Sequence, residues 1–167
     1  VDTAQSAGVL PIDVIEQKID ILTFTGHKGL FGPQGTGGIY LKSDIIIKPI
    51  RQGGTGSLSE HLEHPEIMPD LLESGTLNTP GIAGLLAGVN FILETGLHVI
   101  NRHEQELTEM LLSGLKEIKG IEIYGPQDSK KQTAVIALNV NDMDCGDVST
   151  ILDYEYGIVT RSGLHCT

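Results

Sequence analysis

The sequence predicts an α/β protein, and three observations carry that prediction. Two short apolar runs of strand length, Ile21 to Phe24 and Gly38 to Lys42, flank a loop dense in glycine. After about Gly96 the composition shifts, and Leu97, Ile100, Leu107, Leu111, Leu115 and Ile118 recur at near-helical spacing through residues 97–119. Beyond that helix, Ile121–Tyr124, Thr133–Val140, Cys145–Tyr156 and Ile158–Arg161 read as strand, strand, helix and strand, the pattern of a small α/β lobe. With 167 residues the chain is long enough for a core of ordinary size.

Taken in order, Val9, Ile12, Val14, Ile15 and Ile19 among polar positions predict a short helix after Pro11. Gly29 to Gly37 is too rich in glycine for regular structure. A nucleotide-binding reading of it fails, because no Lys-Ser/Thr stands in Walker position and no complete GxGxxG precedes a helix. A second glycine cluster, Arg51-Gln-Gly-Gly-Thr-Gly-Ser57, leads into a polar, irregular stretch from Leu58 to Asp70. His61 and His64 lie three apart there, a spacing that one helix face can share, but no further ligand cluster accompanies them; a solvated loop without metal is expected. Thr79 reads as an N-cap with Pro80 at the first helical position. The helix that follows has a face of Gly81, Ala83, Gly84, Ala87 and Gly88, which permits close packing against a neighbour. In the long helix of residues 97–119, acidic residues lie early, Lys116 and Lys119 occupy the last turn, and Gly120 ends it. No linker, repeat or low-complexity segment is evident, so a domain boundary falls inside or just before that helix.

A net charge of −11 disfavours nucleic acid and anionic membrane surfaces as partners. Two cysteines, Cys145 and Cys166, are too few for a disulfide framework and fit a reducing compartment; the expectation is a soluble cytoplasmic protein. No signal peptide is visible, and the most apolar stretch, Gly81 to Ile100, is interrupted by Asn90, Glu94 and His98. The absence of an initial methionine at Val1, and the end at Thr167 straight after a strand-like run, give both termini the look of cuts.

The residues that carry chemistry gather near the start. Asp2 offers a carboxylate, Gln5 an amide, Thr25 a hydroxyl, His27 an imidazole and Lys28 an amine, each at or near the polar end of an apolar run. A lysine directly after a histidine at a strand end is a candidate Schiff-base residue. Pyridoxal 5'-phosphate (PLP) needs such a lysine, with an acid to keep its ring nitrogen protonated. Composition alone reads the same stretch as an ordinary β-loop-helix-β unit with polar strand ends.

Asp2-Thr-Ala-Gln5, then Thr25-Gly-His27-Lys28 with Gly32-Pro33 following, resembles the core of the class V aminotransferases, and within them the cysteine desulfurase branch. The resemblance implies a fragment of the PLP-dependent aspartate-aminotransferase-like fold. Residues 1–96 would be part of the PLP-binding large domain, and 97–167 a truncated C-terminal small α/β domain. It implies that Asp2 pairs with the pyridine nitrogen and Gln5 with the ring oxygen. Thr25, where the family usually has serine, would contact the phosphate together with His27, and Lys28 would bond the cofactor covalently. The Glu73-Ser-Gly-Thr-Leu-Asn78 segment is similar to one that reaches across a homodimer interface to the partner's phosphate, a role implied for Gly75 and Thr76. Gly53-Gly54-Thr55 resembles a loop lining the neighbouring active site.

Arg161-Ser-Gly-Leu-His-Cys166 matches the family's Arg-x-Gly-x-His-Cys pattern, in which the cysteine takes sulfur from the substrate as a persulfide. Nearby Arg161 and His165 would favour its thiolate. By itself Cys166 reads as a buried strand cysteine, and Cys145 reads as structural. Arg161 is also a candidate for contact with the substrate. The implied activity is conversion of L-cysteine to L-alanine, with a protein sulfur acceptor as a further partner. The alternatives are an aminotransferase or selenocysteine lyase of the same family, or a non-catalytic piece that serves only in assembly. The family's ring-stacking residue and its main arginine for the substrate carboxylate have no counterpart in this sequence.

Overall fold

The computed structural model describes residues 1–58 and 60–165. The chain divides into two compact units, Val1–Ile100 and Asn101–Thr167.

In the first unit, β1 (Ile21–Thr25) pairs antiparallel with β2 (Gly37–Leu41), Leu22 opposite Tyr40 and Thr25 opposite Gly37. The first residues lie along the other edge of β1. Thr3 donates its backbone N–H to the Thr23 carbonyl at 2.9 Å, Thr23 donates to the Val1 carbonyl at 3.0 Å, and Asp2 bridges Thr23 in parallel. Helix α1 (Thr79–Thr95) packs its small-residue face against the glycine-rich loop. A Cβ placed on Gly88 would sit 2.3 Å from the Leu30 carbonyl oxygen, so only glycine permits this approach. Val9, Leu22 and Ile92 are the buried apolar side chains of this unit among the described residues, with Thr3 beside them, its hydroxyl donating to the Thr23 carbonyl.

Helix α2 (Leu97–Lys116) carries the chain into the second unit. There β3 (Ile121–Tyr124) and β4 (Ala137–Val140) form an antiparallel pair, with α3 (Cys145–Tyr156) against β4. Leu112 of α2 is fully buried, and buried Ser129 donates its hydroxyl to Glu109 at 2.9 Å, tying the loop between the strands to the helix. Asp144 caps α3 by accepting from the N–H groups of Gly146 and Asp147, and left-handed Gly157 ends it, at the boundaries expected from sequence.

Several local expectations are corrected. Residues 9–20 form no helix; a single turn spans Val14–Lys18, held by Asp13, whose carboxylate accepts from Ile15 and Glu16. Lys18 at φ 54° stops it after one turn, and so short a segment cannot recover the cost of helix nucleation. The cap of α1 is Asn78, not Thr79, which is already helical. Helix α2 ends at Lys116 rather than 119, and its first turn carries no acidic residue. Strand β4 begins at Ala137, four residues after Thr133, because only Ala137–Val140 finds partners on β3. Ile158–Arg161 is not a strand. Ile158 donates its N–H to Leu152 in the cap of α3, and the Thr160 hydroxyl donates to Ser149 at 3.0 Å. Among the described residues no strand lies beside this segment to complete a ladder.

Candidate active site

Two backbone features of the first unit bring the sequence's polar clusters together. The parallel bridge sets Asp2 beside Thr23, two residues before Thr25. Farther along, the turn after Thr3 touches the turn after β1. Gly8 has φ +86°, and a Cβ on it would stand 2.1 Å from the Gly29 carbonyl oxygen; one on Gly29 would stand 2.6 Å from the Ala7 carbonyl oxygen. The segment carrying Asp2 and Gln5 therefore lies directly against the turn carrying Lys28. That contact exists only because both positions lack a side chain.

Each candidate side chain has a defined setting. Asp2 is exposed, and its Oδ1 accepts the Ala4 N–H at 2.8 Å, an arrangement that orients the carboxylate. Among the described residues its Oδ2 has no hydrogen-bond partner. Gln5 is exposed on the turn formed as Ser6 and Ala7 donate to the Thr3 carbonyl. Thr25 ends β1 half-buried, and its hydroxyl shares a 3.0 Å hydrogen bond with Nδ1 of exposed His27. Whichever partner donates, the pair keeps a proton for an outside acceptor. If the hydroxyl donates to Nδ1, the ring holds Nε2–H; if Nδ1–H donates, the hydroxyl proton is free. Lys28 is half-buried in a turn closed by Phe31 donating to the Lys28 carbonyl at 2.9 Å and Gly32 donating to Gly26 at 2.7 Å.

Gly75 and Thr76 belong to the same unit and lie exposed just ahead of α1. The second glycine cluster meets them, because Gly75 donates its N–H to the Gly54 carbonyl at 2.7 Å. A cavity of about 270 Å³ lies among Gln52, Thr55, Ser57, His61 and His64. His64 donates its Nε2–H to the Leu71 carbonyl at 3.1 Å, and among the described residues no group of three His, Cys, Asp or Glu is placed to hold a metal. Arg161 and His165 are exposed in the second unit. Cys166, the expected sulfur carrier, lies outside the described residues. Cys145 is free and exposed at the first position of α3.

Sequence reasoning missed the contacts of Ser57 and of Asn78. Ser57 donates its hydroxyl to Asp70 across thirteen residues of irregular loop. Asn78 works twice, accepting from Gly81 N–H at 3.1 Å as the cap of α1 and donating to the Gly35 carbonyl at 3.4 Å. The Asn-Thr-Pro triplet did carry a capping signal, one residue earlier than Thr79.

The chain is similar to known proteins in sequence and in fold. The model of the class-V aminotransferase family matches residues 1–167. The chain is 38% identical to a probable cysteine desulfurase of Methanothermobacter thermautotrophicus over 171 residues, which is 99% of this chain and 42% of that protein. The solved apo cysteine desulfurase of Thermococcus onnurineus matches with a TM-score of 0.80 and 36% identity, covering 99% of this chain and 42% of that one. A solved variant of the enzyme C-DES, with glycine covalently linked to its PLP cofactor, matches with a TM-score of 0.74 and 26% identity, covering 94% and 42%. The chain belongs to the class-V aminotransferase family and has the fold of part of a cysteine desulfurase. It spans about two fifths of the length of the relatives it matches, 42% in the first of them.

Proposed function

We propose that the whole protein is a PLP-dependent cysteine desulfurase, converting L-cysteine and an enzyme thiol to L-alanine and an enzyme persulfide. The observation that carries this reading is the set Asp2, Gln5, Thr25, His27 and Lys28, folded into one unit by the bridge to Thr23 and the Gly8–Gly29 contact. The donor set suits PLP. Asp2 has a free carboxylate oxygen for a protonated ring nitrogen, and Gln5 an amide for the ring oxygen. The Thr25–His27 pair keeps a proton for the phosphate, and Lys28 has a primary amine for the covalent link. When bound, PLP supplies the electron sink that the carbon–sulfur cleavage needs. The chain's own groups hold and orient it. Asp2 would hold the proton on the ring nitrogen, Thr25 and His27 would anchor the charged end, and Lys28 would supply the amine for the covalent link and a base for proton transfer.

Gly75 and Thr76 complete a phosphate site across a homodimer interface: with the Gly75 N–H held by the Gly54 carbonyl, the Thr76 backbone N–H and hydroxyl are the groups that suit an anion. The exposed apolar side chains of α1, Leu86, Phe91 and Leu93, are surface that assembly of the whole protein would cover. Arg161 is a candidate for contact with the substrate, and Cys166 for receiving its sulfur and passing it to a protein acceptor. Among the described residues no single helix is long and apolar enough to cross a membrane, and a cytoplasmic setting agrees with the cysteine content.

An aminotransferase or selenocysteine lyase would use the same Asp2, Gln5, His27 and Lys28, so the deciding residue is Cys166. In the whole protein, Cys166→Ser should stop sulfur release from L-cysteine while the PLP absorbance is unchanged. Mass spectrometry of the cysteine-treated wild type should find the persulfide on Cys166. A persulfide on Cys145, or full turnover by Cys166→Ser, rejects the role. Transamination without sulfur release from the wild type moves the protein to the aminotransferase reading.

A further inference from the structure

Most of the described residues between Gln52 and Thr76 are exposed, yet this loop carries the two residues proposed to meet a phosphate. Gly53, Gly54, Gly75 and Thr76 are all exposed. What fixes the loop's two arms is a chain of polar contacts. The near arm holds Thr55 and Ser57, and the far arm holds Asp70 at the start of the short 3-10 turn Asp70–Leu72. Ser57 and Asp70 are hydrogen bonded, and a carboxylate only accepts, so the single hydroxyl proton of Ser57 is committed to Asp70. The Thr55 hydroxyl, 3.0 Å from the Ser57 hydroxyl and 3.2 Å from the Ser57 carbonyl, therefore donates its proton to Ser57 at one or both of these oxygens. All three side chains are half-buried, and the contacts run from Thr55 through Ser57 to Asp70. Next to Thr55, the Gly54 carbonyl accepts the Gly75 N–H at 2.7 Å. On the far arm, Glu73 donates its N–H to the Asp70 carbonyl at 3.2 Å, two residues ahead of Gly75.

We propose that Asp70, acting through Ser57 and Thr55, is a positioning residue that sets the Gly75–Thr76 turn for binding a phosphate. The proposal rests on the phosphate role given to Thr76 above. Asp70 and Ser57 touch no cofactor themselves. They hold Gly54, and Gly54 holds Gly75. Without the link, the near and far arms of an exposed loop would be joined around Gly75 by one backbone hydrogen bond and the His64–Leu71 contact. The donors would then lose the alignment on which a charge-assisted bond depends.

The test uses the whole protein and compares affinity for PLP with affinity for pyridoxal, which has the same ring and aldehyde but no phosphate. A residue that positions a phosphate site changes the ratio of the two affinities, whereas general loosening of the fold weakens both alike. Asp70→Ala and Ser57→Ala should each lower the preference for PLP by roughly three- to tenfold, the scale of about one hydrogen bond. The double variant should be no worse than either single one, because both break the same link. Asp70→Asn keeps an acceptor oxygen for Ser57 and should retain most of the preference. Thr76→Ala is the reference and should lower it as well. If Thr76→Ala lowers the preference while the Asp70 and Ser57 variants leave it unchanged, the positioning role is overturned and the phosphate role of Thr76 stands. Should Thr76→Ala leave it unchanged too, the phosphate role falls and the inference with it. Equal loss of PLP and pyridoxal in Asp70→Ala and Asp70→Asn also overturns the proposal.

Discussion

At the scale of single residues, the chemistry depends on how few degrees of freedom remain around Lys28. Its turn is closed at both ends by backbone hydrogen bonds, and Gly8 presses on the next residue, Gly29, from the segment that carries Asp2 and Gln5. A backbone closed this way fixes the point from which the Lys28 side chain extends, and effective concentration is what covalent capture of an aldehyde requires. Lys28→Ala in the whole protein is therefore expected to abolish both the visible chromophore of lysine-bound PLP and the adduct trapped by borohydride. Peptide mapping of the trapped wild type checks the assignment, and an adduct on any other lysine would refute it. The Thr25–His27 pair is a second case of one residue fixing another. Sharing the Nδ1 proton or the hydroxyl proton restricts the ring's orientation, so the remaining donor has a defined direction.

At the scale of elements, α1 is the part of the first unit whose placement depends most on its start. Its small-residue face allows the Gly88 backbone to lie against Leu30 and Phe31, but that contact sits two turns away from the candidate phosphate residues. Closer to them stands Asn78, which caps the helix through Gly81 and reaches back to the Gly35 carbonyl. Asn78→Ala removes both contacts. It should destabilise the unit by about 1 kcal/mol, the usual cost of losing a helix cap, and calorimetry or chemical denaturation of the whole protein checks this. Asn78→Asp retains the capping oxygen and loses only the donor to Gly35, so most of the stability should return. A variant as stable as wild type would show that the cap is dispensable.

At the scale of the whole molecule, the proposed homodimer, in which each site draws on both chains, is open to a direct test. Such a site has a signature that a site made within one chain lacks. Mixing Thr76→Ala and Lys28→Ala subunits gives heterodimers with one site intact in both residues and one site damaged in both. Activity per heterodimer should exceed the mean of the two parent variants, reaching up to about half of the wild-type value if the sites turn over independently. Native mass spectrometry establishes that heterodimers have formed. If they form and the mixture only matches that mean, Gly75 and Thr76 do not serve the partner's site.

Much of this was legible in the sequence because it is local or motif-bound. The strands at Ile21 and Ile121 and the helix Cys145–Tyr156 with its Gly157 stop follow from apolar runs, capping chemistry and one left-handed glycine, all of which act within a few residues. The Asp2, Gln5, His27 and Lys28 set came instead from its resemblance to a family motif, and its role is a proposal. Pairing was not legible. Ile158–Arg161 is as apolar and β-branched as a strand, yet its hydrogen bonds go to α3, because a strand exists only where a neighbour supplies the other half of the ladder. Residues 9–20 have helical spacing but gain too little burial to outweigh nucleation, and Gly8, just ahead of them, finds its use only against Gly29. The Ser57–Asp70 link belongs with these, since nothing short-range selects one hydroxyl and one carboxylate out of a polar loop. Sequence determined which groups are available and where the chain turns; tertiary structure decided which of them meet, because burial and backbone closure act on distances through space rather than along the chain.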